Sequence, residues 1–182
     1  MDVNKSTQSF IKPSDASAWI ACIRRAWLDK HQPTAFEPDA FNQLLCDLGL
    51  EHEAAILAKL GNQYPVIKAG SFDHTQILMQ QGAPVIYQGR LVDVQEGLVG
   101  YPDFLIRHKS GHYQPADAKL SLSENKKAIQ IQLGIYRRLL ANELPAMVFL
   151  GDGRTALLGD EVDPVVDEFI ASMRALLDLP QQ

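Results

Sequence analysis

In the segment HYQPADAKL, Asp117 and Lys119 are separated by one residue. Side chains alternate along an extended strand, so this spacing puts the acid and the base on one face with Tyr113 and Pro115. Gln114, Ala116, Ala118 and Leu120 take the other face. Alone, such a pair is an ordinary solvated ion pair. A second acid changes its weight. Asp103 in YPDFLIRH shares a face with Tyr101 and Leu105, while Phe104 and Ile106 face the opposite way. A carboxylate among apolar neighbours is costly unless a cation holds it. The turn residues Lys109, Ser110 and Gly111 join the two segments, which lets Asp103 and Asp117 approach and share a divalent metal. Two converging carboxylates suit Mg²⁺ or Mn²⁺, cations that activate water and neutralise a phosphate oxygen. A lysine beside them can orient or deprotonate the water and offset charge built up in the transition state.

Two helical segments offer further polar groups. In the first, Ala128, Ile131, Ile135, Tyr136 and Leu139 make an apolar face, and Gln132 projects into its middle with Tyr136 one turn away. A buried amide needs partners. In the second, LGLEHEAAIL, His52 falls near the centre of the apolar stripe and Glu53 at its margin, where a side chain can reach a cleft; Glu51 reads as solvated. A core or pocket-wall position suits His52, and without the other motifs Glu53 would be a surface charge. Gly49 costs about 1 kcal/mol relative to alanine inside a helix, so it is expected to make room for a neighbour.

These residues require elements to hold them. A helix is expected over about Asp15 to Lys30, capped by Ser14, with Trp19, Ile20, Ile23 and Trp27 on one side. The prolines of HQPTAFEPD end it. A second helix spans about Asp39 to Leu60, with Phe41, Leu44, Leu45, Leu48, Ala55 and Ile56 as its stripe. Between Tyr64 and Gly82, VIKAG suits a short strand and His74 to Gln81 a short helix. Three β-type stretches follow, PVIYQGRLV, YPDFLIRH and HYQPADAKL, as an antiparallel meander. The helix carrying Gln132 runs from about Ser123, its cap, to Asn142. AMVFL and RTALL flank Gly151, Asp152 and Gly153 as a strand pair, and a helix from about Pro164 to Leu177 closes the chain, with Val165, Phe169, Met173 and Leu176 or Leu177 inward. This order predicts a mixed α/β fold, one central mixed sheet flanked by helices.

With 182 residues, 46% of them hydrophobic and 21% charged, the chain suits one domain spanning 1–182. It has no apolar run near the roughly 18 residues of a membrane span, and MDVNKSTQSF lacks the basic and apolar regions of a signal peptide. A cytoplasmic protein with no membrane partner is expected. Cys22 and Cys46 stand far apart outside any CxxC pattern, which points to core thiols rather than a disulfide framework or a cysteine metal site. A net charge of −5 argues against a uniformly basic surface but says little about one groove.

GLEHE at 49–53, YPDFLI at 101–106, DAK at 117–119 and QLGIY at 132–136 together resemble the ordered motifs of RecB-like nucleases of the PD-(D/E)XK superfamily. The resemblance covers roughly residues 14–150 and implies a restriction-endonuclease-like core. It implies Glu53 as helix ligand with His52 as the alternative, Asp103 and Asp117 as strand ligands to Mg²⁺ or Mn²⁺, Lys119 as the catalytic lysine, and Gln132 and Tyr136 as a supporting pair. CIRRAWLDK resembles an element that begins with a cluster-binding cysteine in some relatives. Only Cys46 remains besides Cys22, so no iron–sulfur cluster is expected. The implied activity is phosphodiester hydrolysis, with DNA favoured over RNA, and the implied partners include a helicase or another nucleic-acid-processing subunit. Arg24, Arg25, Lys126, Lys127, Arg137 and Arg138 are candidate phosphate contacts. A non-catalytic nucleic-acid or protein-binding module on the same fold is the competing expectation.

Overall fold

The computed structural model describes residues 9–33 and 39–179, so part of the proline-bearing segment after Lys30 and most of the polar start lie outside the described residues. The fold is mixed α/β, six strands of one central sheet with six helices around them. Strand order is β1 (Val66–Lys68), β2 (Val85–Tyr87), β5 (Phe104–Arg107), β6 (Tyr113–Lys119), β7 (Ala146–Leu150) and β8 (Thr155–Leu158). Strands β3 (Leu91–Asp93) and β4 (Leu98–Gly100) form a separate two-stranded ribbon.

The pairs β1–β2 and β6–β7 are parallel, and each needs a helical crossover. Helix α4 (Phe72–Gln80) supplies the first, entered through Ser71, whose hydroxyl accepts from the His74 N–H at 3.1 Å. Helix α5 (Lys127–Leu140) supplies the second. The antiparallel runs β2–β5–β6 realise the expected meander. The β3–β4 ribbon was not anticipated. It interrupts PVIYQGRLV at Gln88, whose φ of 53° turns the chain out of the sheet after Tyr87.

The sheet is covered unequally. On one face α5 packs against Val148 and Leu150 of β7, with α1 (Asp15–Ala21) and α6 (Asp163–Leu177) outside it; Phe169, Ile170 and Met173 of α6 are fully enclosed there. On the other face lies α3 (Ala40–Gly61), capped by Asp39, whose carboxylate accepts from the Asn42 N–H at 2.8 Å. Only its C-terminal half packs, through Ile56, Leu57 and Leu60 against Val85, Phe104, Ala116 and Phe149.

Several sequence expectations need correction. The first helix is two, α1 and α2 (Ile23–His31), broken at Cys22, which is extended at φ −169° and ψ 126°. The break lets Trp19 meet Phe169 edge-on at 5.4 Å while Ala16, Ala18 and Ala26 take the buried positions; Ile20 and Ile23 stay exposed. Ser14 caps nothing, and Asp15 instead accepts from the Lys12 N–H at 2.7 Å. Ser123 is no cap either, since α5 starts at Lys127 and Ser123 belongs to a turn with Ser121. In the α3 stripe, Phe41, Leu44, Leu45 and Leu48 are exposed, because no described element lies over that half of the helix. Cys22 and Cys46 are exposed rather than core thiols, one at the α1–α2 break and the other on the uncovered part of α3. Gly49 faces open space and makes room for nothing. Among the described residues no helix is long and apolar enough to cross a membrane.

Candidate active site

The antiparallel register pairs Phe104 with Ala116, and one step further along the ladder sets Asp103 opposite Asp117. The two acids interlock through each other's backbone. The Asp103 N–H donates to Asp117 Oδ1 at 3.1 Å, and the Ala118 N–H donates to Asp103 Oδ2 at 2.8 Å. The Gln88 N–H adds a bond to the Asp103 carbonyl at 2.8 Å. Each carboxylate thereby has one oxygen fixed by main chain.

Asp117 is 1% exposed. The Lys119 ammonium lies 2.5 Å from Asp117 Oδ2 and pairs with it. Burial pushes the Asp103 carboxyl up to about 8, aided by the negative charges of Asp117 and Glu53 and opposed by the Ala118 N–H and Lys119. Burial works against the Lys119 ammonium, yet the Asp117, Asp103 and Glu53 charges outweigh it and raise its pKa.

Glu53 reaches the same neighbourhood from α3. Its Oε1 accepts from the Tyr87 hydroxyl at 2.8 Å and the Gln88 amide at 3.2 Å, and that amide also donates to the Tyr87 oxygen at 3.1 Å. Burial, then the Glu53 carboxylate, pushes the Tyr87 phenol up to about 12. His52 turns elsewhere, with Nε2 3.0 Å from the Phe149 carbonyl. Among the described residues no three His, Cys, Asp or Glu side chains converge tightly enough to enclose an ion. Glu53 is therefore felt by Asp103 through space but is tied to Tyr87 and Gln88 rather than gathered into a triad. Mg²⁺ commonly takes only one or two carboxylates and keeps several waters. The Asp103–Asp117 pair, two opposed carboxylates with a buried oxygen met by a lysine, fits that requirement.

From α5, the Gln132 amide donates to the Tyr136 hydroxyl at 3.0 Å, and that hydroxyl donates to the Tyr101 carbonyl at 3.1 Å. Tyr136 is buried and its phenol raised, first by burial and then by the Asp117 charge. The pair thus holds the backbone two residues before Asp103. Gly100 permits this, since a Cβ there would stand 2.7 Å from the Tyr136 ring. Sequence reasoning missed Tyr87, Gln88 and Gly100; the turn-forming QG after an apolar strand and the glycine before YPD were the available signals.

Most candidate phosphate contacts are already occupied. Arg137 donates to the Gly159 carbonyl and to Asp163, Arg138 pairs with Asp167, Lys127 with Glu168 and Arg25 with Asp29. The first three tie α5 to α6 and the segment leading into it. Arg24 and Lys126 are exposed and have no ion pair among the described residues.

No family model matches the chain, and neither does any curated protein. A solved structure described as "Crystal structure of SSO0001" resembles it with a TM-score of 0.41 and 16% identity, over 98% of this chain and 80% of the other.

Proposed function

We propose that the chain is a metal-dependent nuclease that hydrolyses phosphodiester bonds, with Asp103 and Asp117 holding Mg²⁺ or Mn²⁺ and Glu53 at the edge of the site. The observation that supports this reading is the backbone-locked pair of opposed aspartates, in which the buried Asp117 Oδ2 is met by the Lys119 ammonium. An ion-pairing strand of solvated residues would leave neither acid enclosed. The cation, when bound, supplies Lewis acidity toward a phosphate oxygen and toward water. Lys119, kept charged by its acidic neighbours and 28% exposed, places a positive charge where the pentavalent phosphate gathers negative charge. Its raised pKa supports orienting water and stabilising charge over abstracting a proton. Gln132 and Tyr136 act at one remove by fixing the Tyr101 carbonyl.

DNA as the favoured polymer, a helicase or similar processing subunit as partner, and action in the cytoplasm belong to the same proposal and rest on the sequence motifs and composition. The test is incubation with labelled single-stranded DNA, double-stranded DNA and RNA in Mg²⁺, Mn²⁺ or EDTA, beside Asp117→Ala and Lys119→Ala variants. Metal-dependent cleavage lost in both variants is the expected result. Cleavage unchanged in the variants sinks the site assignment, and binding without cleavage under every condition makes the chain a binding module.

A further inference from the structure

Strand β2 ends at Tyr87, whose ring packs on the α3 face against Phe104 at 5.7 Å between centroids. Strict alternation would send the next side chain to the opposite face of the sheet. Gln88 does the contrary. Its φ of 53° rotates the chain, and its amide ends 3.1 Å from the Tyr87 oxygen and 3.2 Å from Glu53 Oε1. The same residue donates its N–H to the Asp103 carbonyl at 2.8 Å, one step past the Tyr87–Phe104 pair of the β2–β5 ladder. A left-handed backbone is unfavourable for a residue with a Cβ, and glycine usually takes it. The adjacent glycine does not take it here, because Gly89 serves another need: a Cβ there would stand 2.8 Å from Leu105 Cδ1 and 3.1 Å from Thr75 Cγ2. A turn alone would be served at least as well by glycine or asparagine at position 88, so the glutamine is explained by what its amide reaches. With the Tyr87 hydroxyl at 2.8 Å, two donors occupy Glu53 Oε1, whereas Oε2 accepts from no described residue.

We infer that Tyr87 and Gln88 are positioning residues for the metal site, clamping Glu53 by Oε1 at a set place relative to Asp103 and leaving Oε2 as the oxygen free for a cation. The inference rests on the metal-binding reading of Asp103 and Asp117. Gln88 is the link between the two sides, since one residue holds the Asp103 main chain through its N–H and the Glu53 carboxylate through its amide. Donors that hold one oxygen of a carboxylate orient the other, and loss of such donors commonly weakens metal binding roughly 10- to 100-fold.

Isothermal titration of the metal-stripped chain with Mn²⁺ tests this without cleavage, and thermal melting in EDTA separates positioning from folding. Gln88→Gly keeps the left-handed backbone and the N–H bond to Asp103 but removes the amide. It is expected to melt at or above the wild-type temperature and yet to bind Mn²⁺ roughly tenfold more weakly. Tyr87→Phe keeps the ring and removes the hydroxyl, with a loss of affinity of about the same order expected; it carries the test if Gln88→Gly does not fold. In a Glu53→Gln background each change is expected to alter Mn²⁺ affinity by less than about twofold, because the group being positioned is gone. The inference fails if the wild-type chain does not bind Mn²⁺, if either folded variant binds it like wild type, or if the losses persist undiminished in the Glu53→Gln background. Mn²⁺ binding that depends on Tyr87 and Gln88, with no cleavage of DNA or RNA, removes the hydrolytic reading and keeps the clamp. Metal-dependent cleavage with Mn²⁺ affinity unaltered in the variants does the reverse.

Discussion

Helices α5 and α3 lie on opposite faces of the sheet and each sends polar side chains toward the same acids, yet they are built on different terms. Helix α5 is enclosed by the sheet, α1 and α6, with Ile131, Leu133, Ile135 and Tyr136 buried. Helix α3 packs only through its last turns, and Phe41 and Leu50 are 67% and 63% exposed. What α5 delivers is relayed into main chain, from Gln132 through Tyr136 to the Tyr101 carbonyl. What α3 delivers, Glu53, is held by side chains alone. The site therefore has a fixed side, with Asp103, Asp117 and the α5 relay, and a side whose acid, Glu53, rests on a lightly packed helix. Few buried contacts mean low local stability, so α3 is the element free to adjust, around a cation or substrate if the proposed function holds.

The sharpest break between the two helices comes from truncating an apolar residue in each. Ile131→Ala, in a fully buried position, is expected to cost about 2–5 kcal/mol, read as a lowered midpoint in chemical denaturation. Leu44→Ala on the open half of α3 is expected to change stability by no more than about 0.5 kcal/mol. Equal costs would mean that α3 is covered in solution and the contrast false.

The acids on the fixed side predict a pH dependence. Burial and neighbouring charge raise the folded Asp103 carboxyl from 3.8 to about 8, so the folded state keeps a proton that the unfolded chain has released. Between those values the folded state binds more protons, and stability falls as pH rises. In EDTA the melting temperature is expected to be lower near pH 8 than near pH 5, and Asp103→Asn to flatten that slope. Mg²⁺ or Mn²⁺ should restore stability at the higher pH by replacing the proton as the compensating charge. A slope unchanged in Asp103→Asn would assign the dependence to other groups.

Much of the fixed side was legible in the sequence because strand alternation is strict. Asp117 and Lys119 share a face by their spacing, and a short turn between two strands brings Asp103 opposite Asp117. The one-turn spacing of Gln132 and Tyr136 likewise foretold their contact. The other side was harder to read. Periodicity in α3 reports an apolar stripe but not whether anything covers it, so Phe41, Leu44 and Cys46 read as core. The break at Cys22 carries no proline or glycine signal, and the edge-on contact of Trp19 with Phe169 that accompanies it is long-range. Ser14 and Ser123 were plausible caps by residue type, but the chain enters α1 and α5 through Asp15 and Lys126.

Two glycines, one in each helix, give the remaining tests. A Cβ on Gly134 would stand 2.4 Å from Val166 Cγ2 and 3.1 Å from Val162 Cγ2, so α5 and its neighbours approach closely only because the side chain is missing. Gly134→Ala should gain about 1 kcal/mol in helix propensity but lose more to the clash, for a net loss of about 1–2 kcal/mol by thermal or chemical denaturation. A neutral result would show that Val166 can swing away and that α5 is less tightly held than its burial implies.

Gly49 in α3 is the counterpart with nothing within 4 Å of the added Cβ. Alanine there should stabilise the protein by roughly 0.5–1 kcal/mol, since it reduces the entropy lost on folding and meets no neighbour. The sign is the informative part, because the same substitution is predicted to act oppositely in the two helices. If Gly49→Ala stabilises the chain and leaves cleavage unchanged, α3 delivers Glu53 without bending at that point. If it stabilises the chain but slows cleavage, the glycine serves a movement of α3 that places Glu53 nearer Asp103 and Asp117, and a triad forms only in the working state.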